Sequence, residues 1–156
     1  MDKAALLARI IVALEADMEV LRRAAQTAYE TATAEENIAE NKYDTLGLEA
    51  SYLATGQARR TAEIRQALLT YQQLLLRDYD PARGVQVSNL VTLEDEDGGQ
   101  RLLFLGPEAA GLKIGEGAQR VTVITPRSPL GQLLVGKKVD DEVNLGSQVF
   151  YISDAV

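Results

Sequence analysis

The chain has 156 residues, 46% of them hydrophobic and 25% charged, a composition that suits one compact soluble domain or two small ones. It contains no Cys and no His, which excludes disulfides, thiolate nucleophiles, structural zinc and imidazole acid–base chemistry, and leaves only a hard cation such as Mg2+ held by carboxylate oxygens. A net charge of −7 opposes independent binding to DNA or another nucleic-acid backbone and points to a protein partner.

No apolar run approaches the ~20 residues of a membrane span. The start, Met1-Asp2-Lys3-Ala4-Ala5-Leu6-Leu7-Ala8-Arg9, lacks the layout of a signal peptide. A cytoplasmic, membrane-independent protein is expected.

The composition changes near residue 80. Gly47 and Gly56 are the only glycines before it, and ten of the twelve glycines and all four prolines come after it. This predicts an α+β chain of two units, 1–78 and 85–156, with 79–84 as a linker and hinge. In the first unit, apolar or small residues recur at alternating spacings of four and three: Leu7, Ile11, Leu14, Met18, Leu21, Ala25, Ala28 and Ala32. A second line runs Ala50, Ala54, Gln57, Thr61, Ile64, Leu68, Tyr71 and Leu75. Such spacing keeps one seam facing a partner helix, so an antiparallel helical hairpin of coiled-coil type is expected, turning around 41–47. Arms of ~35 residues would extend about 50 Å. Alanine fills both lines towards the turn, which predicts a hairpin that narrows towards its tip.

In the second unit, 85–93 reads as a strand that returns at 101–105 across the turn at 94–99. Residues 119–125 read as a third strand. A short helix at 128–135 follows, with Ser128 as N-cap, Pro129 at its first position and Gly136 just past its end. Two further strands, 142–145 and 148–153, close a hairpin across Gly146-Ser147. Five strands and one covering helix make a small α+β domain.

The most specific stretch is Thr125-Pro126-Arg127-Ser128-Pro129-Leu130-Gly131-Gln132-Leu133-Leu134-Val135-Gly136-Lys137-Lys138-Val139-Asp140-Asp141-Glu142-Val143. It resembles the signature of the Gre-type family of bacterial transcription elongation factors, in which Ser-Pro-Leu or Ser-Pro-Met opens a short helix and Gly-Lys-Lys-Val-Gly-Asp-Glu-Val follows. Asp140 stands where that pattern has Gly. The resemblance covers the whole chain and implies an FKBP-like C-terminal domain. In the family, that domain docks on a coiled coil at the rim of the RNA polymerase secondary channel, while the hairpin brings acidic tip residues beside the catalytic Mg2+. It implies docking through Ser128, Pro129, Leu130 and Gly131; a monomer with no cofactor of its own is expected, though the sequence does not itself fix the oligomeric state.

Between residues 30 and 49 the chain carries Glu30, Glu35, Glu36, Glu40, Asp44 and Glu49 against Lys42 alone. Two neighbouring carboxylates could hold a Mg2+ shared with the polymerase and help activate a water for RNA cleavage, which would make the protein an accessory factor and not an enzyme. Glu40 and Asp44 are the first candidates for metal and catalysis, followed by Glu49 and Glu36. Cleavage-active Gre factors carry Asp-Leu-x-Glu-Asn at the tip. Here the nearest run is Asn37-Ile38-Ala39-Glu40-Asn41, with an amide in place of the essential Asp. A second register, through Leu48-Glu49-Ala50-Ser51-Tyr52, puts Thr45 there instead. Tyr43 and Tyr52 flank the expected turn. Arg59 and Arg60 are the candidates for contact with the nascent RNA 3′ end. A non-cleaving modulator of the polymerase stays open. So does a function unrelated to polymerase: a structural adaptor, or a peptidyl-prolyl isomerase. For the isomerase, Phe104, Phe150 and Tyr151 are few aromatics to line a pocket.

Overall fold

The computed structural model describes residues 2–38 and 45–156, without the side chains of residues 32, 35–38 and 45–55. Of the expected turn at 41–47, residues 45–47 are already helical, whereas 41–44 with Tyr43 and Asp44 lie outside the described residues, as does Glu40. The side chains of Glu36, Glu49 and Tyr52 lie outside them too.

Two long helices come first, α1 (Lys3–Ile38) and α2 (Thr45–Gln72). Both lack proline and are rich in Ala, Leu, Glu and Arg, the residues that lose least on entering a helix. Asp2 caps α1: its carboxylate accepts from the Ala4 N–H at 2.9 Å, and its carbonyl accepts from Leu6 N–H at 3.0 Å.

The chain divides into two compact units, Val12–Leu69 and a second made of Met1–Ile11 with Thr70–Val156. In the first, Leu14, Ala28, Ile64, Ala67 and Leu68 are buried, while Met18, Leu21, Ala25, Gln57 and Thr61 are half-buried. Burial over this stretch follows the expected lines. It departs from expectation at both ends. Leu6 and Ile10 are fully buried where Leu7 and Ile11 were expected, and Leu75 is 74% exposed. The first turns of α1 belong to the other unit, so a second set of neighbours selects their buried face. Leu75 lies beyond the last helical residue, where the spacing no longer applies.

The second unit is built on one six-stranded sheet. Its strands are β1 (Leu90–Asp95), β2 (Gln100–Leu105), β3 (Lys113–Ile114), β4 (Val121–Ile124), β5 (Glu142–Leu145) and β6 (Gln148–Ala155), in the order β3-β4-β2-β1-β6-β5. Only β2 and β4 run parallel. The short helix α3 (Pro129–Leu134) follows β4. One sheet face carries Val91, Leu93, Leu103, Leu105, Ile124, Val143, Phe150 and Ile152, packed with Val85 and with Leu134 of α3. On the other face, Leu90, Phe104 and Val123 lie in register and are buried. Both faces being covered explains why successive residues of β1 and β2 are apolar.

Two sequence expectations need correction. The sheet has six strands, because β3 is only two residues long and gives no periodic signal. The first strand starts at Leu90, since residues 85–89 turn: Gln86 N–H donates to Asn89 Oδ1 at 2.7 Å, and Ser88 takes φ +80°. Val85 is buried, but its backbone pairs with residues 136–137.

The stretch expected as a hinge is tied into this unit. Tyr79 lends its hydroxyl oxygen to Val139 N–H at 3.1 Å. A Cβ on Gly84 would sit 2.3 Å from the Gly136 carbonyl oxygen. Just before it, Arg77 N–H donates to Ser88 Oγ at 2.8 Å, and the Lys3 ammonium donates to the Arg77 and Ser88 carbonyls. Tyr71 is fully buried, and its hydroxyl donates to the Glu108 carbonyl at 2.6 Å. Burial holds that hydroxyl's pKa well above the usual range.

Candidate functional site

The corner between β4 and α3 is the most tightly specified place in the sheet unit. Ser128 has extended backbone, φ −71° and ψ 153°, as an N-cap needs. Its hydroxyl donates to the Thr125 carbonyl at 2.8 Å and accepts from the Thr125 and Gly131 N–H groups, each at 3.2 Å. A Cβ on Gly131 would fall 1.7 Å from the Thr125 carbonyl oxygen, so only glycine lets the helix approach this closely.

The four candidate docking residues thus divide. Ser128 and Gly131 face inward and hold the corner. Leu130 is half-buried against the core, and Pro129 is exposed. Two further apolar side chains face outward, Leu133 at 41% and Val135 at 43% exposure. They were not singled out in the sequence. Helical period could have found Leu133, because Leu130 and Leu134 share the core face and leave it pointing away. Lys137 and Lys138 are exposed just past the helix, and Arg127 before it pairs with Glu108 at 3.1 Å.

Asp140 takes φ +76°, the left-handed region that glycine enters without strain. That is a physical reason for glycine at this point of the Gre-type pattern. Asp is among the side chains that tolerate the region best. The turn is held by Asp141, whose carboxylate accepts from Lys138 N–H at 2.8 Å.

On the arm, Arg59 and Arg60 are both exposed. Arg60 pairs with Glu63 at 3.3 Å, whereas Arg59 has no ion pair among the described residues. Arg22 and Arg23 share Glu19, and their hydrogen bonds pull its carboxyl down to about 2. No group of three or more metal-ligating side chains occurs among the described residues.

Two clefts open in the sheet unit. One, of about 740 Å3, is lined by Asp2, Lys3, Leu76, Asp78, Leu102 and Asp154 among others. The other, of about 660 Å3, lies between Gln73, Leu75, Arg77 and Arg83. Neither is lined by an aromatic ring, so neither offers the surface a prolyl isomerase needs. No helix among the described residues is long and apolar enough to cross a membrane.

The chain matches no protein-family model and no curated protein. Among solved structures it is similar to GreA factor homolog 1 (Gfh1) of Thermus thermophilus, at 16% identity over 94% of each chain, with a TM-score of 0.38. It is similar also to Thermus aquaticus Gfh1, at 19% identity over 91% of this chain and 90% of that one, with a TM-score of 0.36.

Proposed function

We propose that this chain regulates RNA polymerase from its secondary channel, docking through the α3 corner and reaching inward with the helical hairpin. The run from Thr125 to Val143 carries the reading. Its residue order follows the Gre-type signature, and each part has a physical use. Ser128 and Gly131 fix the angle of α3, while Pro129, Leu133 and Val135 are exposed apolar side chains on a strip of sequence that runs on to the exposed Lys137 and Lys138. Such a strip suits a helical partner with apolar and acidic side chains.

For the action inside the channel, the tip sequence favours occupancy over catalysis. Asn37 or Thr45 stands where a cleavage-active tip has its essential Asp, and a neutral side chain neither binds Mg2+ well nor accepts a proton as a base. The protein would then alter nucleotide entry or metal occupancy. A second reading, cleavage stimulation, rests on Glu40 and Asp44 with Glu49 and Glu36 behind them, lending carboxylates to a Mg2+ shared with the polymerase. Arg59, with no ion pair among the described residues, is the better candidate of the two arginines for an RNA contact.

Direct binding to core polymerase tests the first step. Wild type should bind, and Leu133→Asp with Val135→Asp should weaken binding at least about tenfold while the folded spectrum is kept. A wild type that does not bind ends the proposal. Stalled elongation complexes test the second step: unshortened RNA is expected, and shortening that depends on Glu40 or Asp44 would install the cleavage reading instead.

A further inference from the structure

Among the described residues, one buried side-chain polar atom lacks a hydrogen-bond partner: Oε1 of Gln57. Gln57 lies on α2 in the Val12–Leu69 unit, on the line that continues through Thr61, Ile64 and Leu68. Its height along the hairpin follows from counting. Gln57 is twelve residues past the start of α2 and Ala28 is ten before the end of α1, so the two stand at similar distances, roughly 15–18 Å, from those ends.

The seam at that level is weak on three counts. The buried residue of α1 there is Ala28, which brings only a methyl group, whereas Leu14, Ile64 and Leu68 are buried further back. The Gln57 amide oxygen, at a similar height, has given up water and gained no hydrogen bond, which lowers stability. Among the described residues, the ion pairs of this unit, Glu19 with Arg22 and Arg23 and Arg60 with Glu63, each lie within a single helix. A buried polar side chain in a coiled coil can fix register when it finds a partner. An unpaired one cannot do that, and what remains is a local weakness that water relieves when the arms part.

We infer that the hairpin opens locally at the level of Gln57 and Ala28, as a unit separate from the seam at Leu14, Ile64 and Leu68. The closed arm is then one of two states, and a binding partner that encloses it favours the closed one. The inference stands apart from the identity of that partner.

Hydrogen exchange on the full chain, read by mass spectrometry, tests it. Wild-type amides at 24–33 should exchange at least about tenfold faster than those at 10–14 and 64–71. Gln57→Leu should slow the first group by a similar factor and leave the other two unchanged. Gln57→Met, closer in shape, should act in the same direction and guards against a packing artefact in the first variant. A single protection level throughout the hairpin overturns the inference. So does equal slowing of all three groups, or no slowing in either variant.

Discussion

Ser128 and Gln57 are both half-buried polar side chains, and the two regions treat them in opposite ways. The Ser128 hydroxyl makes three hydrogen bonds, all to backbone groups of Thr125 and Gly131. The Gln57 amide oxygen makes none. At the corner, polar pairing and a glycine-only approach leave a single arrangement of strand and helix. In the arm, helices that are regular along their length meet across a seam of small and half-satisfied side chains. The first arrangement holds one geometry, and the second leaves room for local opening.

The contrast can be broken most directly at Gly131. Gly131→Ala drives a Cβ into the Thr125 carbonyl and should cost about 3 kcal/mol or more, seen as a lower denaturant midpoint or loss of the folded protein. Tyr71→Phe asks whether the sheet unit depends on buried pairing elsewhere. Loss of the bond to the Glu108 carbonyl should cost about 1–2 kcal/mol in urea unfolding. The same tyrosine carries a pH signature. Its folded pKa is raised, so its contribution is complete below the unfolded value near 10 and is lost as pH climbs towards the higher folded value. Wild type should therefore lose stability above pH ~10 by more than the Phe variant does.

A smaller effect of opposite sign is expected at Asp140. Asp140→Gly relieves a left-handed residue and should stabilise by about 0.5–1 kcal/mol, read as a rise in melting temperature. The smallest lies on the arm. Glu19 titrates near 2 when paired, so its contribution is present above its ordinary value of 4.5 and disappears as pH falls through the lower one. Helical circular dichroism between those pH values should decline slightly more in wild type than in Glu19→Gln. Equal slopes would remove the pairing from the account.

Much of this was readable from the chain because the relevant signals are local. Ser128-Pro129 and Gly136 mark the ends of α3 by cap chemistry, and the alternation of 142–145 and 148–153 marks the last hairpin, which runs on to Ala155. Losses occurred where distant residues decide. Val85 and Val87 alternate like a strand, yet Ser88 at φ +80° and the Asn89 side chain turn the backbone there. Leu6 and Ile10 displaced Leu7 and Ile11 because the helix changes neighbours along its length. At the candidate site, the sequence indicated the segment but not the orientation within it. Ser128 and Gly131 stood out by chemistry and hold the corner, whereas Leu133 and Val135 are exposed beside it.

The Lys3 ammonium, bound to the Arg77 and Ser88 carbonyls, has a consequence for how the molecule is made. Residues 1–11 are synthesised well before the strands of the unit they complete. On the ribosome those early helical turns must wait, with Leu6 and Ile10 unhoused, until the rest of the unit has emerged. A fragment cut at residue 79 should therefore not reproduce the sheet unit, because it lacks Lys3, Leu6, Ile10 and Tyr71 together.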